Sequence, residues 1–295
     1  MRKLALSDEI LLKVDKAARY IGGEVNSVMK DKNEVEIRFA MCFPDVYEIG
    51  MSNLGMMILY NMFNQREDVW CERLFSPWPD LDKVMREQNI PLFALESQEP
   101  IRDFDFLGIT LGYEMCYTNI LQVLDLSGIP LKSADRGEDF PIVIGGGACA
   151  YNPEPLAPFF DLFYIGEGET VYDALFDAYK ANKKAGGSRR DFLLAAAKIP
   201  GIYVPSLYEV TYKEDGTIAS FAPTEAGVPE KVQKQLIIDM EKEYRAVEAP
   251  VVPHIKATQD RVTLEIQRGC IRGCRFCQAG MIYRPTRERD VETLK

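Results

Sequence analysis

PIVIGGG, residues 141–147, is a short apolar run that ends in three consecutive glycines. An apolar run of this length bounded by turn residues predicts a buried strand that leaves the sheet through a tight turn. The chain has five further runs of this kind: VEIRFAMCF (35–43), VWCERLF (69–75), PLFALES (91–97), FDFLGITL (104–111) and DLFYIGE (161–167). We therefore expect six strands in the first part of the chain.

Patterns with helical periodicity lie between several of these runs. They are MSNLGMMILYNMF (51–63), PDLDKVMREQ (79–88), EMCYTNILQVLDLSG (114–128) and ETVYDALFDAYKANKK (169–184). Strands that alternate with helices predict an α/β fold, a doubly wound, Rossmann-like and mostly parallel sheet. Ligands of such sheets bind at the carboxyl ends of the strands, so we expect a binding crevice there.

The remaining patterns divide the chain into four parts. Residues 1–33 form an N-terminal extension in which Ser7 caps a helix to about Tyr20, and residues 34–185 form the α/β domain. Residues 186–260 form a linker that follows AGGSRR (185–190) and contains a hairpin around Lys213–Gly216 and a Pro-rich connector (223–260).

Residues 261–295 begin another domain. VTLEI (262–266) alternates as a strand, and Asp290 is a candidate N-cap for a last helix. Because a strand, a loop and one helical turn cannot form a domain, we expect the chain to be truncated at Lys295 and to be inactive alone.

Composition limits the functional classes. Apolar residues make up 47% and charged residues 27% of the 295 residues, with a net charge of −10. General nucleic-acid binding is not expected from an acidic chain, and no run resembles a signal peptide or a membrane span. Seven cysteines without a secretory signal indicate a reducing compartment, and we expect a cytoplasmic protein. Residues 261–289 are locally basic, with seven arginines and two glutamates, which leaves open an anionic cofactor or a solvated loop.

Three of the cysteines lie together in RGCIRGCRFCQAG, residues 268–280, which we call the cysteine loop. Cys270, Cys274 and Cys277 have the spacing C-x3-C-x2-C, and thiolates select zinc, copper(I) or iron–sulfur clusters. Structural zinc usually has four ligands, and the single histidine, His254, is expected to be a solvated linker residue. Three thiolates on a four-iron cluster leave one iron open for a small chelating molecule, with Gly269 and Gly273 as candidate turn residues. Two further arginines, Arg272 and Arg275, are candidates for moderating its charge.

This motif, with an aromatic residue before the third cysteine, resembles the signature of radical S-adenosylmethionine (SAM) enzymes. The resemblance implies that the three cysteines ligate a 4Fe-4S cluster and that Phe276 lies near the adenine of SAM. It further implies reductive cleavage of SAM to a 5′-deoxyadenosyl radical and an electron donor such as flavodoxin or ferredoxin. The family's other SAM contacts lie on later barrel strands, and no residue here corresponds to them.

The ligand of the α/β domain is open among three interpretations. Residues 145–150, GGGACA, fit the dinucleotide fingerprint G-x-G-x-x-A, but they follow a late strand and prolines interrupt the next helix. The second is a corrinoid. The third is a degenerate domain that serves as a lid or docking surface. GEGE at 166–169 is interpreted as an ordinary turn between a strand and a helix.

The corrinoid interpretation rests on a resemblance to cobalamin-binding domains. Their D-x-H-x-x-G loop has a counterpart at residues 45–50, with Asp45 and Gly50 in place but Tyr47 where the cobalt-ligating histidine would be. A later small hydroxyl residue and Gly-Gly turn correspond to Thr110, Gly145 and Gly146. A neutral phenol is a poor cobalt ligand, so the resemblance implies cobalamin without a protein histidine or a lost site.

Across most of its length the chain resembles an uncharacterised bacterial subgroup of cobalamin-domain radical SAM proteins. The segments that carry this likeness are RYIGGEVNS, FPDVYEIGMSNLG, NPEPLAPF and IGEGET. The implied activity is methyl transfer or modification of an unreactive carbon, on a substrate that the sequence does not name. The alternative is a non-catalytic corrinoid- or zinc-binding interaction module. Of the other cysteines, Cys42, Cys71 and Cys116 are expected in the core, and Cys149 near the crevice.

Overall fold

A six-stranded sheet forms the centre of the molecule in the computed structural model, which describes residues 3–243 and 247–295. Residues 1–2 of the expected extension and 244–246 of the connector lie outside the described residues. The strands are β1 (Ile37–Phe43), β2 (Val69–Phe75), β3 (Phe106–Thr110), β4 (Ile142–Gly146), β5 (Leu162–Tyr164) and β6 (Ile202–Tyr203). Their spatial order is β2-β1-β3-β4-β5-β6. All pairs are parallel except β5 with β6, so the expected mostly parallel α/β sheet is confirmed.

Helices cover both faces of this sheet. Nine α-helices lie in the described residues: α1 (Asp8–Leu11), α2 (Tyr47–Gly50), α3 (Leu54–Asn64), α4 (Pro79–Gln88), α5 (Tyr117–Leu126), α6 (Tyr172–Lys184), α7 (Arg189–Ala196), α8 (Ala279–Ile282) and α9 (Val291–Leu294). Apolar residues of α3, α6 and α7 join one core cluster, and those of α1, α4 and α5 join the other. Because both faces are buried, β1 is fully buried along its length, as parallel strands usually are.

The order of the strands reverses between β1 and β3. The chain passes from β1 outward to β2 on one side, then crosses to β3 and continues through β4 and β5 on the other. A crevice forms at such a switch point, outside the carboxyl ends of the two central strands. β6 extends the sheet beyond residue 185, where the sequence patterns placed the end of the domain.

Two expected strands are wrong. Residues 91–97 are buried but irregular, since Gln98 N donates to Ala94 O at 3.0 Å in a turn that ends at an isolated bridge between Phe93 and Pro100. Residues 262–266 also lack strand pairing, and Val262, Leu264 and Ile266 are exposed. In both segments the apolar pattern is present, but neither segment forms the continuous backbone pairing of a strand.

The first helix is shorter than expected. Ser7 does cap it, with its Oγ accepting from Ile10 N at 3.4 Å, but α1 ends at Leu11. Lys16 then adopts a left-handed backbone conformation (φ 51°), which a continuing helix does not allow. The residue patterns gave no indication of this break.

The hairpin is confirmed as β7 (Tyr208–Tyr212) paired antiparallel with β8 (Ile218–Pro223). AGGSRR is not wholly a linker, because Ser188 caps α7 in a capping box with Asp191. The described parts of the connector pack on the α/β domain. Val252 forms an isolated bridge with Val25, and Thr258 N donates to Glu48 O at 3.0 Å.

The end of the chain carries the small sheet of the cysteine loop. β9 (Gln267–Arg268) pairs antiparallel with β10 (Arg287–Glu288), and Asp290 caps α9 through Glu292 N as expected. None of the helices in the described part of the chain has the length and apolar character that a membrane crossing requires.

Candidate functional site

A cavity of about 640 Å³ lies between the carboxyl edge of the sheet and the cysteine loop. Its volume falls within the range of about 300–1,000 Å³ typical of small-molecule sites. Its wall on the sheet side comes from the ends of β3, β4 and β5, and the opposite wall from the cysteine loop. Residues on the two sides include Thr110, Gly146, Gly147, Glu169 and Tyr172, facing Arg268, Gly269, Cys270, Cys277 and Tyr283. The expected crevice at the carboxyl ends of the strands is thus present, and the loop closes it.

Two glycines after β4 allow the backbone to form this wall. Gly147 has φ 115°, and a Cβ there would lie 2.8 Å from the backbone oxygen of Leu111. Gly146 lines the cavity with almost no neighbour near its Cβ position, so its bare backbone faces the open space. A 3-10 helix at Ala148–Tyr151 follows, where a dinucleotide fingerprint would require an α-helix. The local structure therefore does not favour dinucleotide binding.

The cysteine loop presents two of its thiols to the cavity. Cys270 and Cys277 line it and are half-buried, whereas Cys274 is exposed and does not line it. Arg272 N donates to Cys270 Sγ at 3.4 Å, a backbone N–H contact of the kind that tunes thiolate ligands. All three thiols are free, and soft thiolates within a span of eight residues suit an iron–sulfur cluster. As placed, the described residues hold no group of three His, Cys, Asp or Glu side chains close enough to share a metal ion.

The base of the cysteine loop is constrained by backbone contacts. Gly269 has φ 91°, and a Cβ on it would lie 2.4 Å from the carbonyl oxygen of Pro285. Only glycine fits such a position without strain. Gly273, in contrast, has no atom within 4 Å of its Cβ position. Of the two glycines expected to shape the loop, Gly269 has the geometry that requires it.

Ion pairs join the base of the loop to the α/β domain. Arg268 Nη2 donates to Glu169 Oε1 at 2.6 Å and to Glu265 Oε2 at 2.9 Å, and Arg287 Nη1 donates to Glu167 Oε2 at 2.8 Å. Burial of Arg268 lowers its pKa, but the hydrogen bonds from its guanidinium to Glu265 and Glu169 outweigh this effect and raise the pKa. Two of the seven arginines in 261–289 are therefore paired with domain glutamates.

These glutamates belong to GEGE at 166–169, which the sequence interpretation took as an ordinary turn. The missed signal was the presence of two acidic residues after a strand, together with the excess of arginines in the distant segment 261–289. Sequence spacing cannot show that the two segments meet, because Glu169 and Arg268 are separated by 99 positions.

Only some of the residues that correspond to cobalamin-binding positions lie at the cavity. Thr110 and Gly146 line the cavity, but Asp45, Tyr47, Gly50 and Gly145 are not among its lining residues. Tyr47 is 1% exposed and donates from its hydroxyl to Glu24 Oε1 at 2.9 Å, inside the core. A Cβ on Gly50 or Gly145 would meet Phe75 or Phe163, respectively, so these glycines allow close ring packing.

Other candidates have simpler positions. Phe276 is 91% exposed on the loop, and Cys42, Cys71, Cys116 and Cys149 are buried. His254 is exposed, as expected for a solvated linker residue, and its Nε2 lies 3.2 Å from Gly22 O of the N-terminal segment. Burial raises the pKa of Tyr172 and Tyr283, which keeps both phenols neutral in the cavity wall.

The fold and the site define an α/β domain whose crevice is closed by a thiol-rich loop. The family described as "Radical SAM proteins, N-terminal" matches residues 55–205, and the chain belongs to this family. An uncharacterized protein of Methanocaldococcus jannaschii is 27% identical over 256 residues, which is 86% of this chain and 44% of that protein. The chain thus spans less than half the length of that relative. No solved structure matches this chain significantly.

Membership of the family implies a 4Fe-4S cluster and SAM as cofactors. The matched residues contain the strands β2 to β6 and the two glutamates of GEGE at 166–169, but not β1, and they end before the cysteine loop. The loop and the family domain thus contribute independent indications of the same chemistry.

Proposed function

We propose that this chain carries the cluster loop and the N-terminal domain of a radical SAM iron–sulfur enzyme. In this proposal Cys270, Cys274 and Cys277 ligate three irons of a 4Fe-4S cluster. The observation that carries the proposal is that Cys270 and Cys277 line the cavity that opens at the carboxyl edge of the family domain. A cofactor at the thiols and a ligand at the sheet would thus share one space.

When bound, the reduced cluster supplies the electron that cleaves SAM into methionine and a 5′-deoxyadenosyl radical. The chain's own residues would bind the ligand and enclose it in the cavity. The bare backbone at Gly146 and Gly147 admits a ligand closely, and the neutral phenols of Tyr172 and Tyr283 offer hydrogen bonds without charge. Phe276 supplies an exposed ring beside the third thiol, on which an adenine can stack.

Binding also requires the loop to change shape, because the exposed Cys274 must turn toward the other two thiols. Ligand binding that orders a mobile loop is common at catalytic sites. Methyl transfer or another modification of an unreactive carbon is the activity we propose for the whole protein. Flavodoxin or ferredoxin is the class of electron donor that such a cluster needs.

A corrinoid is a second proposed ligand of the same cavity. The parallel strand order β2-β1-β3-β4-β5 favours it, since ligands of such sheets bind outside the carboxyl ends of the strands, where the cavity lies. The residues at this cavity offer no lower ligand for cobalt, however. The chain's single histidine contacts Gly22, and Tyr47 is turned into the core. A corrinoid here would bind without a protein nitrogen on cobalt, against Thr110 and Gly146.

Anaerobic reconstitution with iron and sulfide tests the proposed cluster. We expect about four irons and four sulfides per chain, the content of a 4Fe-4S cluster. Changing Cys270, Cys274 or Cys277 to Ala should abolish this content, whereas Cys149→Ala, the matched control, should retain it because Cys149 is buried in the core. Stoichiometric zinc without sulfide would identify the alternative zinc module.

A further inference from the structure

We propose that the glutamates of GEGE at 166–169 are positioning residues for the cysteine loop. They hold the base of the loop, through Arg268 and Arg287, so that Cys270 faces the cavity. This inference rests on the proposed function, because it explains how the α/β domain places the cluster ligands. It assigns the turn a role beyond connecting a strand to a helix.

The first support is the burial of the charges involved. The Arg268 side chain is 11% exposed and its partner Glu169 is 5% exposed, at 2.6 Å. The Arg287 side chain is 6% exposed and its partner Glu167 is 10% exposed. A buried charge without its partner costs free energy, so each glutamate stabilises the position of its arginine.

The second support is the register of the two arginines. Arg268 and Arg287 are directly opposite each other in the β9–β10 pair. Cys270 follows Arg268 by two residues. The residue between them, Gly269, packs closely against the backbone of Pro285. Holding both arginines therefore holds both strands of the loop base, and Gly269 transmits the constraint to the first thiol.

The third support is a connector segment that lies between the turn and the loop. Glu167 N donates to Gln235 O at 3.0 Å, and Ile237 N donates to Glu167 Oε2 at 2.8 Å. Arg287 Nη1 in turn donates to Ile237 O at 2.6 Å. Gly166 (φ 139°) permits this approach, since a Cβ there would lie 2.3 Å from Gln235 O. Turn, connector and loop base form one hydrogen-bonded layer.

The chemistry of the pairing suits a positioning role. Arg268 uses its planar fork to bond Glu265, on its own segment, and Glu169, on the domain. Two carboxylates on one guanidinium define its orientation as well as its position. The loop base is thus fixed in angle, while the three-thiol segment beyond it keeps the freedom to close on a cluster.

The test measures thiol accessibility in the apo protein, so it does not depend on cluster binding. The rate of alkylation of each cysteine by iodoacetamide is followed by mass spectrometry under anaerobic, reducing conditions. Rates are compared at the high-pH plateau, where the thiolate fraction no longer limits them. The variant is Glu169→Gln, and the matched control is Glu288→Gln, an exposed glutamate on β10.

In Glu169→Gln we expect Cys270 to react about tenfold faster, equivalent to about 1.4 kcal/mol in the free energy of local opening. The exposed Cys274 serves as an internal reference and should keep its rate. Cys42 and Cys71 are 0% exposed and report on global unfolding. An unchanged Cys270 rate in a folded Glu169→Gln protein would overturn the proposal.

A second variant covers the case in which Glu169→Gln unfolds. Arg268→Lys keeps the positive charge but removes the planar guanidinium that bonds two carboxylates. It should give the same selective increase in the alkylation rate of Cys270. In the double variant, the two effects should be smaller than additive, because both act through one contact. Reaction of Cys42 and Cys71 in both single variants would overturn a local role.

The cofactor readout separates the two proposals. If the parent assembles a cluster, Glu169→Gln should shift the electron paramagnetic resonance signal of the reduced cluster, while Glu288→Gln should not. A parent that binds no iron and sulfide but shows the selective increase at Cys270 would overturn the proposed function alone. A normal cluster signal in Glu169→Gln, with unchanged Cys270 reactivity, would overturn the positioning role alone.

Discussion

The hydroxyl of Tyr47 donates a hydrogen bond to Oε1 of Glu24 across 2.9 Å. This contact turns the tyrosine into the core, although its place in the sequence corresponds to a cobalt-ligating histidine in cobalamin-binding domains. The other oxygen of Glu24 accepts from Arg73 at 2.7 Å, and both residues of this ion pair are fully buried. Tyr47 is therefore part of a buried polar network that ties the N-terminal segment to β2.

Tyr47→Phe removes one of the two donors to Glu24 Oε1, which keeps its hydrogen bond from Arg73 Nη1 at 3.1 Å. We expect a loss of about 1.5–3 kcal/mol in the free energy of unfolding, the usual contribution of a hydrogen bond to a charged group. Denaturant titration measures it. Tyr47→His should destabilise the fold as well and should not introduce nitrogen hyperfine splitting on bound cobalt(II), because the side chain lies outside the cavity. Such splitting would contradict this placement.

Arg73→Met should be strongly destabilising. Arg73 is 0% exposed and pairs with Glu24 at 2.7 Å and Glu96 at 2.6 Å, so its removal leaves two carboxylates buried. We expect a loss of about 3–5 kcal/mol in unfolding free energy. Arg66→Met is the matched control, since the Arg66 side chain is 22% exposed and two of its three acidic partners, Asp173 and Asp177, are largely exposed, so it should cost about 1 kcal/mol. Equal losses in both variants would contradict the role of burial.

Acid stability should depend on Glu48. Burial of its carboxyl raises the pKa, but the hydrogen bonds from Arg19 and Lys16 outweigh this and hold the pKa at about 2, below the ordinary 4.5. A depressed pKa contributes stability that is complete above pH 4.5 and is lost as the pH falls toward 2.

Glu48→Gln should therefore be less stable than the parent at neutral pH, and the difference should shrink between pH 4.5 and 2. Urea titrations at a series of pH values measure it. Glu34→Gln, at an exposed position, should follow the parent curve throughout. A difference between the parent and Glu48→Gln that does not depend on pH would refute the assignment.

Gly269 and Gly273 of the cysteine loop should respond differently to alanine. Gly269→Ala places a Cβ 2.4 Å from Pro285 O in a backbone conformation with φ 91°, so the loop base has to move. We expect it to lower the iron and sulfide content after reconstitution by about tenfold, as expected for a misplaced ligand set. Gly273→Ala has open space around its Cβ position and should retain the parent content. Equal retention in both variants would show that the loop base does not position the thiols.

Local patterns predicted much of the α/β domain. The strand at 69–75 and the helix at 79–88 have the expected bounds, because each has its own hydrophobic period and clear turn residues at its ends. The strand expected at 91–97 has a similar apolar content but forms a turn. The difference depends on whether a neighbouring strand offers backbone partners, which the residues themselves do not encode.

The sequence by itself determined the chemistry available to this protein: three clustered thiols, a parallel sheet and a glycine-rich edge, all set by residue type and local spacing. The tertiary structure alone decided how these parts meet. It turned Tyr47 away from the crevice, joined Glu169 to Arg268 and placed Cys270 and Cys277 beside Gly146 and Gly147. The physical reason is that ion pairing and burial act between residues close in space, and a single sequence does not show which distant positions the fold brings together.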